Sequence, residues 1–139
     1  MNIQKQDEIR QRLRAIGDAF SSLDFDAWLS HFCVPRMVIS KGAVFSSSSY
    51  DDTRSMMMPV FDSLRKRGFS RTRLDTCRIK LLSDTTAMAS TVWTRLDDSG
   101  NMLETLGATY TLVSGGGTWK VAVVMSHSAE AVAIEGTDE

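Results

Sequence analysis

The stretch that decides the fold runs from Ser70 to His127 and reads SRTRLDTCRIKLLSDTTAMASTVWTRLDDSGNMLETLGATYTLVSGGGTWKVAVVMSH. Polar and apolar side chains alternate along it, and turn-forming residues interrupt it at 83–84, 97–101 and 114–117. This pattern predicts four β-strands, over about 70–82, 85–97, 101–114 and 118–127. Because the connections are too short for parallel crossovers, we expect an antiparallel meander.

Helical periodicity replaces this alternation in the first part of the chain. An amphipathic helix from about Ile3 to Ser21 is predicted by an apolar stripe of four residues, Ile9, Leu13, Ile16 and Phe20. Asp24 is a candidate N-cap for a second, shorter helix. We expect this helix to end before Pro35, because proline disfavours helix in the residue ahead of it.

A small hairpin and a third helix are predicted between these helices and the meander. The segments 36–40 and 43–46 have the composition of two short strands joined by a turn. Ser49 and Asp52 form a helix start signal, and the helix that follows should end before Gly68. Pro59 lies inside this helix and removes one backbone hydrogen bond, so we expect a kink or a break there.

The composition argues against several classes of function. The 139 residues include 16 Lys plus Arg and 17 Asp plus Glu, so no overall positive field exists to attract nucleic acid or an anionic membrane. No apolar run is long enough for a membrane span or a secretory signal, and we expect a cytoplasmic protein. Cys33 and Cys77 are too far apart for a zinc motif, and no nucleotide-binding glycine pattern occurs. We therefore expect neither a metal nor a cofactor.

Two short segments carry a resemblance to a known superfamily. Residues 20–28 (FSSLDFDAW) and 117–121 (GTWKV) look like the second-helix region and the last strand of the nuclear transport factor 2-like superfamily, SnoaL-like branch. Residues 59–68 and 103–110 are similar to an uncharacterised bacterial subgroup. The resemblance covers about residues 3–128. It implies an α+β fold in which a curved antiparallel sheet wraps around the N-terminal helices as a cone with an open-ended cavity.

The resemblance implies one domain, over 1–128. Residues 129–139 have no clear apolar period, so we expect a flexible acidic tail there. It does not imply one function, because the same cone serves isomerases, dehydratases, cyclases, epoxide hydrolases and non-enzymatic modules. Where the steroid isomerase branch has a carboxylate, this chain has Ser40, which is not a useful base without a partner. The epoxide hydrolase branch uses an Asp-Arg-Asp set, and Asp75 and Arg95 could form such a pair inside the cavity. An outward-facing salt bridge is the alternative.

The two histidines are the other acid–base candidates. His31 follows Trp28 by three residues, so its imidazole could lean over the cavity, where partial burial would lower its pKa and keep it neutral as a base. His127 ends the last strand on the alternation that carries Trp119 and Met125, and would reach the cavity mouth if that face lines the cavity. We rank His31 above His127, and a structural role is the alternative for both.

Three hypotheses for the function remain open. The leading one is a pocket for a small apolar or aromatic molecule, lined by Trp28, Ser40, Met57, Phe61, Trp93, Tyr110 and Met125. The second is a cofactor-free enzyme of the cyclase, dehydratase, isomerase or hydrolase type that uses His31, Asp75, Arg95 or His127. The third is an interaction module whose cavity is filled by its own side chains. We also expect a homodimer through the sheet, because the helices can cover only one of its two partly apolar faces.

Overall fold

A computed structural model describes residues 2–131 and residue 134. It contains three helices and six strands in the order α1 (Asn2–Ser21), α2 (Phe25–Leu29), β1 (Phe32–Ser40), β2 (Ala43–Ser47), α3 (Tyr50–Lys66), β3 (Phe69–Leu81), β4 (Thr86–Asp97), β5 (Met102–Gly115) and β6 (Thr118–His127). Over the described part of the chain, no helix has the length and apolar character needed to cross a membrane.

The six strands form one curved sheet in the order β2-β1-β6-β5-β4-β3. Strands β3 to β6 pair as an antiparallel meander, which confirms the prediction from the turn spacing. The hairpin of β1 and β2 joins this meander through a parallel pairing of β1 with β6, which the sequence did not predict. Strand β1 begins at Phe32 rather than at Arg36, because Phe32 already pairs with Val121.

The predicted capping residues begin the second and third helices. The Asp24 carboxylate accepts a hydrogen bond from the backbone N–H of Ala27 at 3.2 Å, and the Ser49 hydroxyl accepts one from Asp52 at 3.1 Å. Helix α3 runs through Pro59 without interruption. The proline ring lies on the exposed side of the helix, where water can satisfy the carbonyl that loses its intrahelical partner.

Helix α1 packs its apolar stripe against the concave side of the sheet, so the core lies between the helices and the inner sheet face. Phe20 makes edge-to-face contacts with Phe61, at 5.3 Å between ring centroids, and with Phe69, at 5.7 Å. Gly17 allows Trp93 to approach the helix backbone, because a methyl group at this position would lie 2.7 Å from Trp93 Cζ3. Aromatic rings from α1, α3, β3 and β4 thus pack together between the helices and the concave face of the sheet.

The expected flexible tail falls partly on residues 132, 133 and 135–139, which lie outside the described residues. Ile134 is buried, and its carbonyl accepts a hydrogen bond from Arg78 Nη1 at 3.5 Å. This part of the tail therefore contacts β3.

Candidate functional site: a cavity inside the cone

A cavity of about 630 Å³ lies between the helices and the concave face of the sheet. Most of its wall is apolar, and the wall comes from every helix and from strands β1, β3, β4, β5 and β6. Lys41, Thr105 and Ser126 line the cavity and are exposed, so they mark where it opens to solvent. The cone therefore encloses a space that is open to solvent.

Five of the seven predicted lining residues contact this space: Trp28, Ser40, Met57, Trp93 and Tyr110. Phe61 does not line it. Its ring is fully buried behind the wall, 6.3 Å from the ring of Trp28 and 5.3 Å from that of Phe20. It supports the aromatic wall and does not form its surface.

A β-bulge in β6 places Met125 and His127 away from the cavity. Leu112 pairs with Val121 and Thr111 pairs with Val123, so Ala122 is an extra residue and the alternation of side chains reverses after it. Val124 and Ser126 consequently line the cavity in place of Met125. The side chains of β6 therefore alternate between the two sheet faces as predicted only up to Val121.

His127 lies against the outer face of the sheet. Its Nε2 is 2.7 Å from the Thr109 hydroxyl, and its Nδ1 is 2.9 Å from the carbonyl oxygen of Ser128. The imidazole covers Gly107, where a methyl group would approach His127 Nδ1 to 2.5 Å. Because Tyr110 faces the cavity and Thr109 precedes it on the strand, these contacts lie on the opposite side.

His31 also lies outside the cavity lining. Arg12 Nη1 is 2.7 Å from His31 Nδ1, and in this contact the guanidinium donates and a neutral imidazole accepts. Burial lowers the pKa of His31, and the positive charges of Arg12 and Lys120 lower it further. The imidazole is therefore a neutral acceptor for Arg12, at a distance from the space where a ligand would lie.

Asp75 and Arg95 do not form the expected pair. The register opposes Arg95 to Thr72, and a bulge between Leu74 and Thr76 isolates Asp75 from the ladder. Asp75 is exposed, accepts from Arg73 Nε at 2.6 Å and also accepts from the Thr94 hydroxyl. Arg95 alone of the four proposed catalytic residues lines the cavity.

The partner of Arg95 is Glu104, which the sequence analysis did not single out. Arg95 Nη1 donates to Glu104 Oε2 at 2.5 Å, and Arg67 Nη1 donates to Glu104 Oε1 at 3.2 Å. Burial raises the pKa of Glu104, but the two guanidinium groups outweigh it and hold this pKa below its usual value. The facing positions of Arg95 and Glu104 across β4 and β5 could have been inferred from the hairpin at 97–101.

Arg36 is a second cavity residue that the sequence analysis missed. It is only 4% exposed, and its guanidinium carbon lies 4.9 Å from the ring centroid of Trp28 and 5.0 Å from that of Phe32. Burial lowers its pKa to about 10, although an interaction with Tyr110 acts in the opposite direction. Its position on the same strand alternation as Val38 and Ser40 was the available signal.

Trp93 and Tyr110 form a polar contact within the aromatic wall. Trp93 Nε1 donates to Tyr110 Oη at 3.1 Å, and burial raises the pKa of Tyr110 to about 12. The phenol therefore stays protonated near neutral pH.

Within residues 2–131 and 134, no group of three His, Cys, Asp or Glu side chains is placed to hold a metal ion.

A groove between α1 and the β5–β6 turn is larger, at about 870 Å³, but is a weaker candidate site. Its lining includes Ile3, Asp7, Glu8, Gln11 and Thr118, all of which are exposed. A ligand in this groove would remain largely in contact with water. The cone cavity combines burial with a few polar groups, which is typical of small-molecule sites.

The architecture and the internal cavity define the class of protein, an α+β cone with a largely apolar pocket. The family model described as "NTF2-like protein (DUF6841)" matches residues 7–129, and the chain belongs to this family. The predicted superfamily and the predicted cone fold are both confirmed. A comparison with curated proteins finds no significant match.

Solved structures with the same fold come from several bacteria. An NTF2-like protein with a cystatin-like fold from Novosphingobium aromaticivorans is 15% identical, with a TM-score of 0.75 over 94% of this chain and 86% of that one. An NTF-2 like protein of unknown function from Shewanella oneidensis is 21% identical, with a TM-score of 0.71 over 86% and 96%. A ketosteroid isomerase-like protein from Erwinia carotovora atroseptica is 15% identical, with a TM-score of 0.65 over 88% and 94%. At these identities the likeness establishes the fold alone.

Proposed function

We propose that this protein binds a small molecule with a mainly apolar or aromatic body inside the cone cavity. The observation that carries the proposal is the cavity itself, which has about 630 Å³ of space and largely apolar walls that converge on a few polar groups. Ligand pockets in proteins commonly have about 300–1,000 Å³ and this kind of lining. An interaction module with a filled cone is less well supported, because this cone is not filled.

A cofactor-free enzyme is the second candidate. It is favoured by the ionisable groups Arg36, Arg95, Glu104 and Tyr110, which line a cavity that opens to solvent. The pKa of Glu104 is held low and that of Tyr110 is raised, so both shifts move these groups away from the neutral range that proton transfer requires. None of His31, Asp75 and His127 lines the cavity. Binding is therefore the better supported function.

The proposal can be tested by NMR screening of neutral aromatic and aliphatic fragments against the ¹⁵N-labelled protein. The indole N–H of Trp93 faces Tyr110 in the cavity wall, so its resonance should shift when a fragment binds. Backbone amides of lining residues should shift with it. Shifts confined to the α1 groove, or no binding across the library, would contradict the proposal.

A variant pair separates cavity binding from binding elsewhere. Ala108 is buried in the cavity wall, and Ala108→Phe should fill much of the space and abolish the fragment shifts. Ala27 is exposed on α2, and Ala27→Phe adds the same ring outside the cavity as a matched control. We expect the control to bind fragments as the unsubstituted protein does.

We also propose that two copies of the chain pair through the outer sheet face. This face carries Met88 and Val92, which remain partly exposed because the helices cover only the concave side. Sedimentation equilibrium should give a dimer mass that falls on dilution. A monomer mass at every concentration would contradict the pairing without affecting the proposed pocket.

A further inference from the structure

Among residues 2–131 and 134, the fold buries the charge of Arg36 without supplying an acidic partner. Its Nε and Nη1 have no hydrogen-bond partner among the described residues. Nη2 contacts Met56 Sδ at 3.7 Å, and a thioether is only a weak acceptor. Three of the five guanidinium N–H bonds are thus unsatisfied in a side chain that is 4% exposed. Buried charges are normally paired, so this arrangement is incomplete without another group.

Aromatic rings hold the guanidinium but do not complete it. Arg36 lies over the faces of Trp28 and Phe32 at about 5 Å. A ring face attracts the positive charge, whereas the N–H bonds lie in the guanidinium plane and require lone pairs. The rings therefore fix the position of the cation beside the cavity that Arg36 lines, but they do not supply the lone pairs that its buried donors lack.

The other charged groups of the cavity do not neutralise Arg36. Glu104 is the acidic residue of the lining, and it already accepts hydrogen bonds from Arg95 and Arg67. Lys41 adds a further positive charge at the opening. The buried part of the cavity consequently combines one unpaired cation with apolar walls.

We propose that Arg36 binds the carboxylate of an amphipathic monoanion whose apolar body fills the cavity. This inference rests on the proposed binding function and specifies the class of ligand. A carboxylate offers the guanidinium a planar set of acceptors. One unpaired buried cation matches one negative charge on the ligand. The mainly apolar wall matches a hydrocarbon or aromatic body.

The test uses matched carboxylate and amide probes in isothermal titration calorimetry near neutral pH. The pairs are 2-naphthoate with 2-naphthamide and 4-phenylbutanoate with 4-phenylbutanamide, and each pair differs mainly in charge. We expect the carboxylates to bind at least about tenfold more tightly than their amides, the effect of a charge-assisted hydrogen bond. Equal affinities, or tighter binding of the amides, would overturn the carboxylate site and leave the proposed pocket intact.

Variants assign the preference to Arg36. Arg36→Met keeps a long apolar side chain and should bind both members of each pair with the affinity of the amide. Lys41→Met removes a lining charge at the opening and should keep most of the preference, which separates a local contact from general positive potential. A preference that survives in Arg36→Met and disappears in Lys41→Met would overturn the assignment.

Arg36→Lys and a phosphate probe test which feature of the guanidinium and which kind of anion the site requires. Arg36→Lys keeps the charge but loses the planar donor set, so we expect it to fold and to keep only part of the preference, whereas a full preference would contradict a guanidinium-specific contact. Tighter binding of 2-naphthyl phosphate than of 2-naphthoate would overturn the assignment to a monocarboxylate. If no probe of either charge binds, the proposed pocket function fails together with this inference.

Discussion

The cavity contains two arginines with opposite surroundings. In the deep region, formed by Arg36, Trp28 and Phe32, the cation lies among aromatic rings and has no acidic partner among the described residues. In the rim region, formed by Arg95, Glu104 and Arg67, two cations share one carboxylate. The side chain of Arg95 is 19% exposed and that of Glu104 is 33% exposed, so water also reaches this region.

The difference between the regions predicts that the rim region stabilises the fold and that the deep region serves the binding of an anion. In the rim region the chain satisfies its own charges, so removing one partner should destabilise the fold. In the deep region the charge is unsatisfied, so removing it should stabilise the fold and weaken only the binding of an anion. Opposite signs are therefore expected for two substitutions that both remove a charged side chain from one cavity.

The largest effect is expected from Trp28→Ala, which removes one wall of the deep region. Trp28 is 5% exposed and its ring lies 4.3 Å from that of Phe32, so the substitution should lower the free energy of unfolding by about 3–5 kcal/mol. Urea unfolding would measure the loss. Phe45→Ala removes an exposed aromatic ring as a control and should change stability far less. A nearly neutral Trp28→Ala would show that the deep region is not part of the core.

Arg36→Met should raise the free energy of unfolding by about 1–3 kcal/mol in the absence of ligand, because it removes an unpaired buried charge and retains most of the volume. Burial lowers the folded-state pKa of Arg36 to about 10, below its ordinary value. The penalty is therefore complete below about pH 10 and is relieved only as the pH rises beyond it. Urea unfolding near neutral pH should show the gain. A loss of stability would mean that the ring contacts outweigh the desolvation of the charge.

Glu104→Gln should have the opposite sign and lower the free energy of unfolding by about 1–2 kcal/mol, because Arg95 and Arg67 lose their shared partner in a partly exposed site. The folded-state pKa of Glu104 lies below its ordinary value of 4.5. The contribution of Glu104 is therefore present above that value and is lost as the pH falls through the folded-state pKa. Unfolding curves at a series of acidic pH values should show this loss in the unsubstituted protein and not in Glu104→Gln.

The smallest effect is expected outside the cavity, at the contact between Arg12 and His31. Because burial and neighbouring cations lower the pKa of His31, the unfolded chain binds a proton more readily, and stability should decrease as the pH falls through about 6.5. Arg12→Met should raise the pKa of His31 and weaken this dependence. NMR titration of the imidazole would measure the pKa of His31, and urea unfolding at a series of pH values would measure the pH dependence of stability. An unchanged pKa of His31 in Arg12→Met would show that burial and Lys120, and not Arg12, are responsible.

The elements of the fold were predictable because local chemistry determines them. The turn residues at 97–101 and 114–117 and the caps at Asp24 and Ser49 are short-range signals, and each produced the expected turn or helix start. The aromatic members of the cavity wall, Trp28, Trp93 and Tyr110, followed from the faces of those elements. The periodicity of the sequence was sufficient to predict the inward-facing residues wherever no β-bulge interrupts a strand.

The charged part of the site was not predictable in the same way. One bulge in β6 moved His127 to the outer face, another in β3 isolated Asp75 from the ladder, and the register opposes Arg95 to Thr72. A bulge adds one residue and reverses the side chains beyond it, and no residue type in these segments announces it. Arg36 went unnoticed because it stood at the start of the predicted strand 36–40, where a charged residue is usually solvated, whereas β1 begins at Phe32.

The sequence by itself determined the helices, the meander, the superfamily and most of the aromatic wall, since these depend on residue type, spacing and turn chemistry within short segments. Only the tertiary structure decided which charges meet. The parallel pairing of β1 with β6 joins segments that are far apart in the chain, and it places Arg36 inside the cone beside Trp28. Whether a buried cation finds a carboxylate depends on such long-range registers, which no local pattern encodes.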